Sequence, residues 1–95
     1  MLKTKEKKYL RGLANTQKAI FQIGKDGLSD NLIEGIDIAL TTHELIKIHV
    51  LKSCVSDVRE IAFDLSSNTN SEIVQIIGKM IVLYRVSKDH IIKFS

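Results

Sequence analysis

The chain has 95 residues, 44% of them hydrophobic and 26% charged, with a formal net charge of +3 and one cysteine. Such a length bounds it to one small domain, residues 1–95, near the lower limit of what a single core stabilises unaided. No apolar run approaches the ~18 residues of a membrane span, Cys54 has no partner for an internal disulfide, and the basic N-terminus does not lead into the apolar stretch of a secretory leader, so a cytoplasmic protein is expected.

The charge is unevenly distributed. Residues 1–27 carry seven Lys or Arg against two Asp or Glu, a net of +5, whereas residues 28–95 carry seven against nine, a net of −2. A basic end on an otherwise balanced domain points to a polyanion-facing surface, nucleic acid above all, or else to a solvated first helix that keeps the chain soluble.

Residues 4–15 are predicted helical, with Tyr9, Leu10 and Leu13 as an apolar stripe and Lys5, Lys7, Lys8 and Arg11 over most of the remaining surface. Gly12 interrupts this helix at a cost of about 1 kcal/mol relative to alanine, which close packing against a sheet would explain. Ala19 to Ile23 reads as a mostly buried strand that ends at Gly24-Lys25-Asp26-Gly27. Two glycines three apart allow a tight turn and a close approach of backbone amides to a ligand, as in GxxG loops that hold a sugar-phosphate backbone.

Ser29 is a good N-cap, Asp30 suits the positive end of a helix dipole, and Leu28 with Ile33 has the spacing of a hydrophobic staple. Leu32, Ile36 and Leu40 give that helix a core-facing stripe to about residue 42. Its start directly after Gly27 aims free helical amides at the glycine loop. Residues 44–51 form a second strand, and residues 54–66 a third helix with Val55, Val58, Ile61, Ala62 and Leu65 on one face. A polar loop over 66–71 follows. Ile73–Ile77 and Met80–Tyr84 are strands joined by Gly78-Lys79, the signature of a type II′ hairpin. Ile91 to Phe94 reads as a sheet extension or a frayed end. The order α-β-α-β-α-β-β predicts a two-layer α/β sandwich on a four-stranded mixed sheet.

Four segments together, Tyr9-Leu10-Arg11-Gly12-Leu13-Ala14, Phe21 to Leu28, His43 to Ile48 and Val74 to Lys79, closely resemble the YhbY family in order and spacing, over nearly the whole chain. That family is the bacterial stand-alone form of the CRM (chloroplast RNA splicing and ribosome maturation) domain. The resemblance implies a fold similar to the C-terminal domain of translation initiation factor three. It implies RNA as the partner, specifically precursors of the large ribosomal subunit, and a role in ribosome assembly. Two positions depart from the family pattern: Asn15 stands where a histidine is frequent, and Val86 where a proline is frequent.

The working expectation is therefore binding without catalysis, by a monomer, with no cofactor and no small-molecule substrate. Gly24, Lys25, Asp26 and Gly27 form the loop; Lys5, Lys7, Lys8, Arg11, Lys18, Lys79 and Arg85 extend a phosphate track from it. Asp26 opposes an anion slightly and is better suited to shaping the turn. Enzyme chemistry has little to draw on, since His43, His49 and His90 show no metal-ligand spacing and Cys54 no sign of activation. A third reading is a protein-interaction adaptor that docks partners through its sheet.

Overall fold

The computed structural model describes residues 2–88 and 90–92. Its elements are α1 (Thr4–Ala14), β1 (Phe21–Ile23), α2 (Asp30–His43), β2 (Leu45–Val50), α3 (Val58–Thr69), β3 (Glu72–Ile77) and β4 (Met80–Tyr84), in the expected order. The four strands form one sheet in the order β1-β2-β4-β3, with β1 parallel to β2 and the other pairs antiparallel.

Alternation along β2 and β4 explains the layering. Ile46, Ile48, Val50, Ile81 and Leu83 share one buried cluster with Ile36 and Leu40 of α2 and Val58, Ile61 and Leu65 of α3. Leu45, Val82 and Tyr84 point the other way and bury Leu10 and Ala14 of α1. The expected two-layer sandwich thus accounts for the sheet with α2 and α3, and α1 adds a partial third layer on the opposite face. Leu45, Val74, Val82 and Tyr84 make part of the second face apolar as well, which is why that part needs a cover.

Local chemistry sets the element ends. Ser29 caps α2 by accepting from the Leu32 amide at 3.1 Å. Gly78 has φ +55°, as the first position of a type II′ turn requires, and Met80 pairs with Ile77 across the hairpin. Three expectations need correction. The first strand begins at Phe21, and Ile20 is half exposed, its amide making a single bond to the Lys47 carbonyl at 3.0 Å.

The third helix begins at Val58, after the N-cap Asp57, so Val55 lies outside it and is 94% exposed. It also runs on through Thr69. Side chains of Ser66, Asn68 and Thr69 donate to the carbonyls of Phe63, Asp64 and Leu65, so residues that read as a loop bond to their own helix instead. Asn70, at φ +51°, ends the helix, and the Ser71 amide returns to the Ser66 carbonyl in a Schellman closure.

Glu44 fastens the chain beyond β4. It is fully buried, and its carboxylate accepts from the Ser87 amide (2.7 Å) and hydroxyl (2.6 Å) and from the Ile91 (3.0 Å) and Ile92 (2.7 Å) amides. Ile91 and Ile92 are therefore held by a side chain and join no strand; Lys93 and Phe94 lie outside the described residues. Burial pushes the Glu44 carboxyl up, but the bonds from the Ser87 hydroxyl and from the Ile92, Ser87 and Ile91 amides outweigh it, and the net pKa falls below the ordinary 4.5.

A carboxyl depressed in the folded state contributes stability that is whole above pH 4.5 and is lost as pH falls through its folded value. Glu44→Gln should cost about 1–3 kcal/mol at neutral pH, by exchanging an acceptor for an amide against these donors. It should also flatten the acid limb of stability. Urea midpoints for both proteins above and below pH 4.5 check this: the gap between them should narrow in acid.

Candidate functional site

The glycine loop is a closed turn. The Gly27 amide donates to the Gly24 carbonyl at 3.0 Å, leaving Lys25 and Asp26 exposed at the tip. That amide is spent within the turn, so any ligand meets the tip residues and the first amides of α2, not a ring of free glycine amides. The two glycines also differ. Gly27 has φ +65°, where a side chain is strained; Gly24 does not, and a Cβ there would lie 3.5 Å from Ser53 Oγ and 3.7 Å from a Leu51 methyl, ordinary contacts.

Gly12 is different again, because a Cβ on it would meet nothing within 4 Å. Close packing is therefore not what placed a glycine in α1. It lies on the outward surface beside Lys8 and Asn15. Gly12→Ala should raise stability by about 0.5–1 kcal/mol, Gly24→Ala should be close to neutral, and Gly27→Ala should cost about 1–2 kcal/mol. Thermal melts of the three variants check the ordering.

The fold gathers cations at one end of the sheet. The Leu51 amide donates to the Ile23 carbonyl (2.8 Å) and the Val50 amide to the Lys79 carbonyl (2.7 Å). These bonds set the glycine loop, the segment after β2 and the β3–β4 hairpin side by side. Lys25, Lys52 and Lys79, all exposed, thereby come to a common edge. Lys52 was not among the residues singled out from sequence. Its only signal there was its place one residue past the second strand.

Charge also differs between the two faces of the sheet. Where the loop meets α3, a cleft is lined by Asp26, Glu60 and Asp64, which repel a polyanion. On the α1 side, Lys5 and Lys8 project into solvent, Lys7 and Arg11 are half-buried along the helix flank, and Lys18 is exposed in the connection to β1. A polyanion is thus favoured on the face that α1 covers and disfavoured on the face of α2 and α3.

Arg85, expected to extend the track, lies apart from these cations and is engaged inside the domain. Its guanidinium forms an ion pair with the Asp37 carboxylate and donates to the Asp37 carbonyl (2.7 Å), the Thr41 hydroxyl (2.8 Å) and the Thr69 carbonyl (2.6 Å). It ties α2 to the end of α3 and to the residue after β4, with both terminal nitrogens engaged inside the domain. Cys54 is a buried free thiol of the larger core cluster. Among the described residues no three His, Cys, Asp or Glu side chains are grouped to hold a metal, and no helix is long and apolar enough to cross a membrane.

Comparison with known proteins agrees with this architecture. The CRS1/YhbY (CRM) domain matches residues 2–85. Among curated relatives, the chain is 44% identical over 90 residues to the Bacillus subtilis protein named "Probable RNA-binding protein YqeI", covering 95% of this chain and 94% of that one. It is 35% identical to a Haemophilus influenzae protein named "RNA-binding protein", covering 93% and 89%. A Staphylococcus aureus protein solved in solution superposes with a TM-score of 0.79 at 53% identity, covering 93% of this chain and 92% of that one.

Proposed function

Because the chain belongs to the CRS1/YhbY (CRM) domain family, we propose that it is a non-catalytic RNA-binding protein that holds the phosphate backbone along its basic side. We propose further that it acts in the cytoplasm as a monomer on precursors of the large ribosomal subunit and assists their assembly. The observation that carries the RNA reading is the asymmetry of charge about one sheet end. Lys25, Lys52 and Lys79 meet there from three separate segments, bordered on the α2–α3 face by Asp26, Glu60 and Asp64, while Lys5, Lys7 and Lys8 of α1 lie on the opposite face toward the other end of the sheet. The names of the relatives support the same reading.

Phosphate contacts position a protein without reading sequence. Selection of a ribosomal precursor would then come from RNA shape or from a neighbouring protein. Crosslinking in cells, with sequencing of the attached RNA and sedimentation of the lysate, tests the proposal. Enrichment on one region of large-subunit RNA, in fractions lighter than the mature subunit, is the expected result. Crosslinks to protein alone, with binding indifferent to salt, would favour the adaptor.

A further inference from the structure

We propose that the cleft between the last turn of α1 and the open half of the sheet receives one unpaired nucleobase of the bound RNA, with adenine preferred. This rests on the RNA-binding reading above and adds base selection to a backbone track that has none of its own.

The cleft follows from the incomplete third layer. Helix α1 buries Leu45, Val74, Val82 and Tyr84 but stops short of the hairpin half of that face. There, Gln22 and Ile77 stay exposed and His49, Gln75 and Met80 half-buried. Asn15 and Lys47 border a cavity of about 110 Å³, whose remaining walls include Gln75, Ile77, Met80 and Val82. One water needs only ~10–15 Å³ of such volume, so the cavity admits a group much larger than a water molecule.

The lining has the two features a base requires. Ile77, Met80 and Val82 offer an apolar wall for a ring face, and Met adapts readily to a planar surface. Asn15 and Gln75 carry amides that no other group engages among the described residues. Each amide presents a donor beside an acceptor, the pattern that pairs with the N6 and N7 edge of adenine. Single-stranded RNA is read in this way, by bases splayed out of the stack.

Lys47 fixes the mouth of the cleft. Its Nζ donates to the carbonyls of Ala14 (3.2 Å) and Gln17 (3.4 Å), which holds the end of α1 against β2 and places a positive charge at the rim. Lys79 follows Ile77 by two residues in the adjoining hairpin and is exposed, so a phosphate on either side of the inserted base has a cation within the same neighbourhood.

The test compares oligo(A) with oligo(U) of equal length by titration at several salt concentrations, for the wild type and for the double variant Asn15→Ala with Gln75→Ala. The wild type should prefer oligo(A) by about tenfold, and the double variant should lose that preference to within about twofold while its salt slope stays unchanged. In a parallel measurement, adenosine monophosphate should shift the Asn15 and Gln75 side-chain amide signals in nuclear magnetic resonance spectra of the wild type. A wild type with salt-dependent binding but no base preference would overturn the nucleobase cleft and spare the phosphate track. A preference that survives in the double variant would overturn it equally. Absence of any salt-dependent RNA binding would overturn both readings.

Discussion

Replacing Arg85 by alanine is expected to destabilise the domain by about 3 kcal/mol, because charge-assisted hydrogen bonds contribute about 1.5–3 kcal/mol each in favourable settings and several are lost together. The side chain is 20% exposed and Asp37 is 51% exposed, so water recovers part of the loss and the full sum is not reached. What remains is the orphaned Thr69 carbonyl at the end of α3 and the lost tie from α2 to the residue after β4. In a domain of this size each kcal/mol shifts Tm by about 4–8 °C, which puts the expected fall at roughly 12–24 °C.

Arg85→Lys should retain little of this stability, since an ammonium cannot serve the Asp37 carboxylate and carbonyl, Thr41 and Thr69 from one planar fork. The second readout is RNA affinity measured well below the melting temperature. If Arg85 is a structural tie, affinity of the folded variant should change by less than about twofold, the effect of a residue that neutralises no phosphate. A loss of affinity with an unchanged melt would return Arg85 to the RNA track.

The combined change Lys25→Ala, Lys52→Ala and Lys79→Ala should have the opposite signature. All three side chains are exposed and none of the loops that carry them uses the ammonium in a hydrogen bond within the described residues, so the melt should barely move. Binding should respond strongly. Each phosphate neutralised contributes about 0.7–0.9 to the log–log salt slope, so losing three should flatten the slope by about 2–2.7. Between 1 M and 0.1 M salt, that same slope is worth about 0.7–0.9 decades per contact, which predicts a loss of roughly a hundredfold or more at the lower salt. Fluorescence titrations over a salt series measure both quantities. A triple variant with wild-type slope would remove this sheet end from the interface.

These expectations show which parts of the molecule are legible along the chain. Ser29, the stripe of Ile36 and Leu40 and the Gly78 hairpin were readable because each depends on bonds or spacings within about four residues. The same reasoning failed at α3, where Ser66, Asn68 and Thr69 looked like loop residues. Their side chains can bond a turn or their own helix, and local sequence does not choose between the two. Gly12 was misjudged for a related reason: whether a glycine packs or faces solvent depends on what lies across from it.

The charged residues divide along the same line. By itself, the sequence determined that the N-terminal third is basic, that a tight turn at Gly24 to Gly27 precedes a capped helix, and that the elements run α-β-α-β-α-β-β. Only the tertiary structure decided that Arg85 is committed to Asp37, 48 residues away, that Glu44 clasps the amides of Ser87, Ile91 and Ile92, and that Lys52 joins Lys25 and Lys79. Composition counts charges, but a partner distant along the chain determines which of them are spent inside the fold. Those partners meet only when the helices pack on the sheet and its strands take their register.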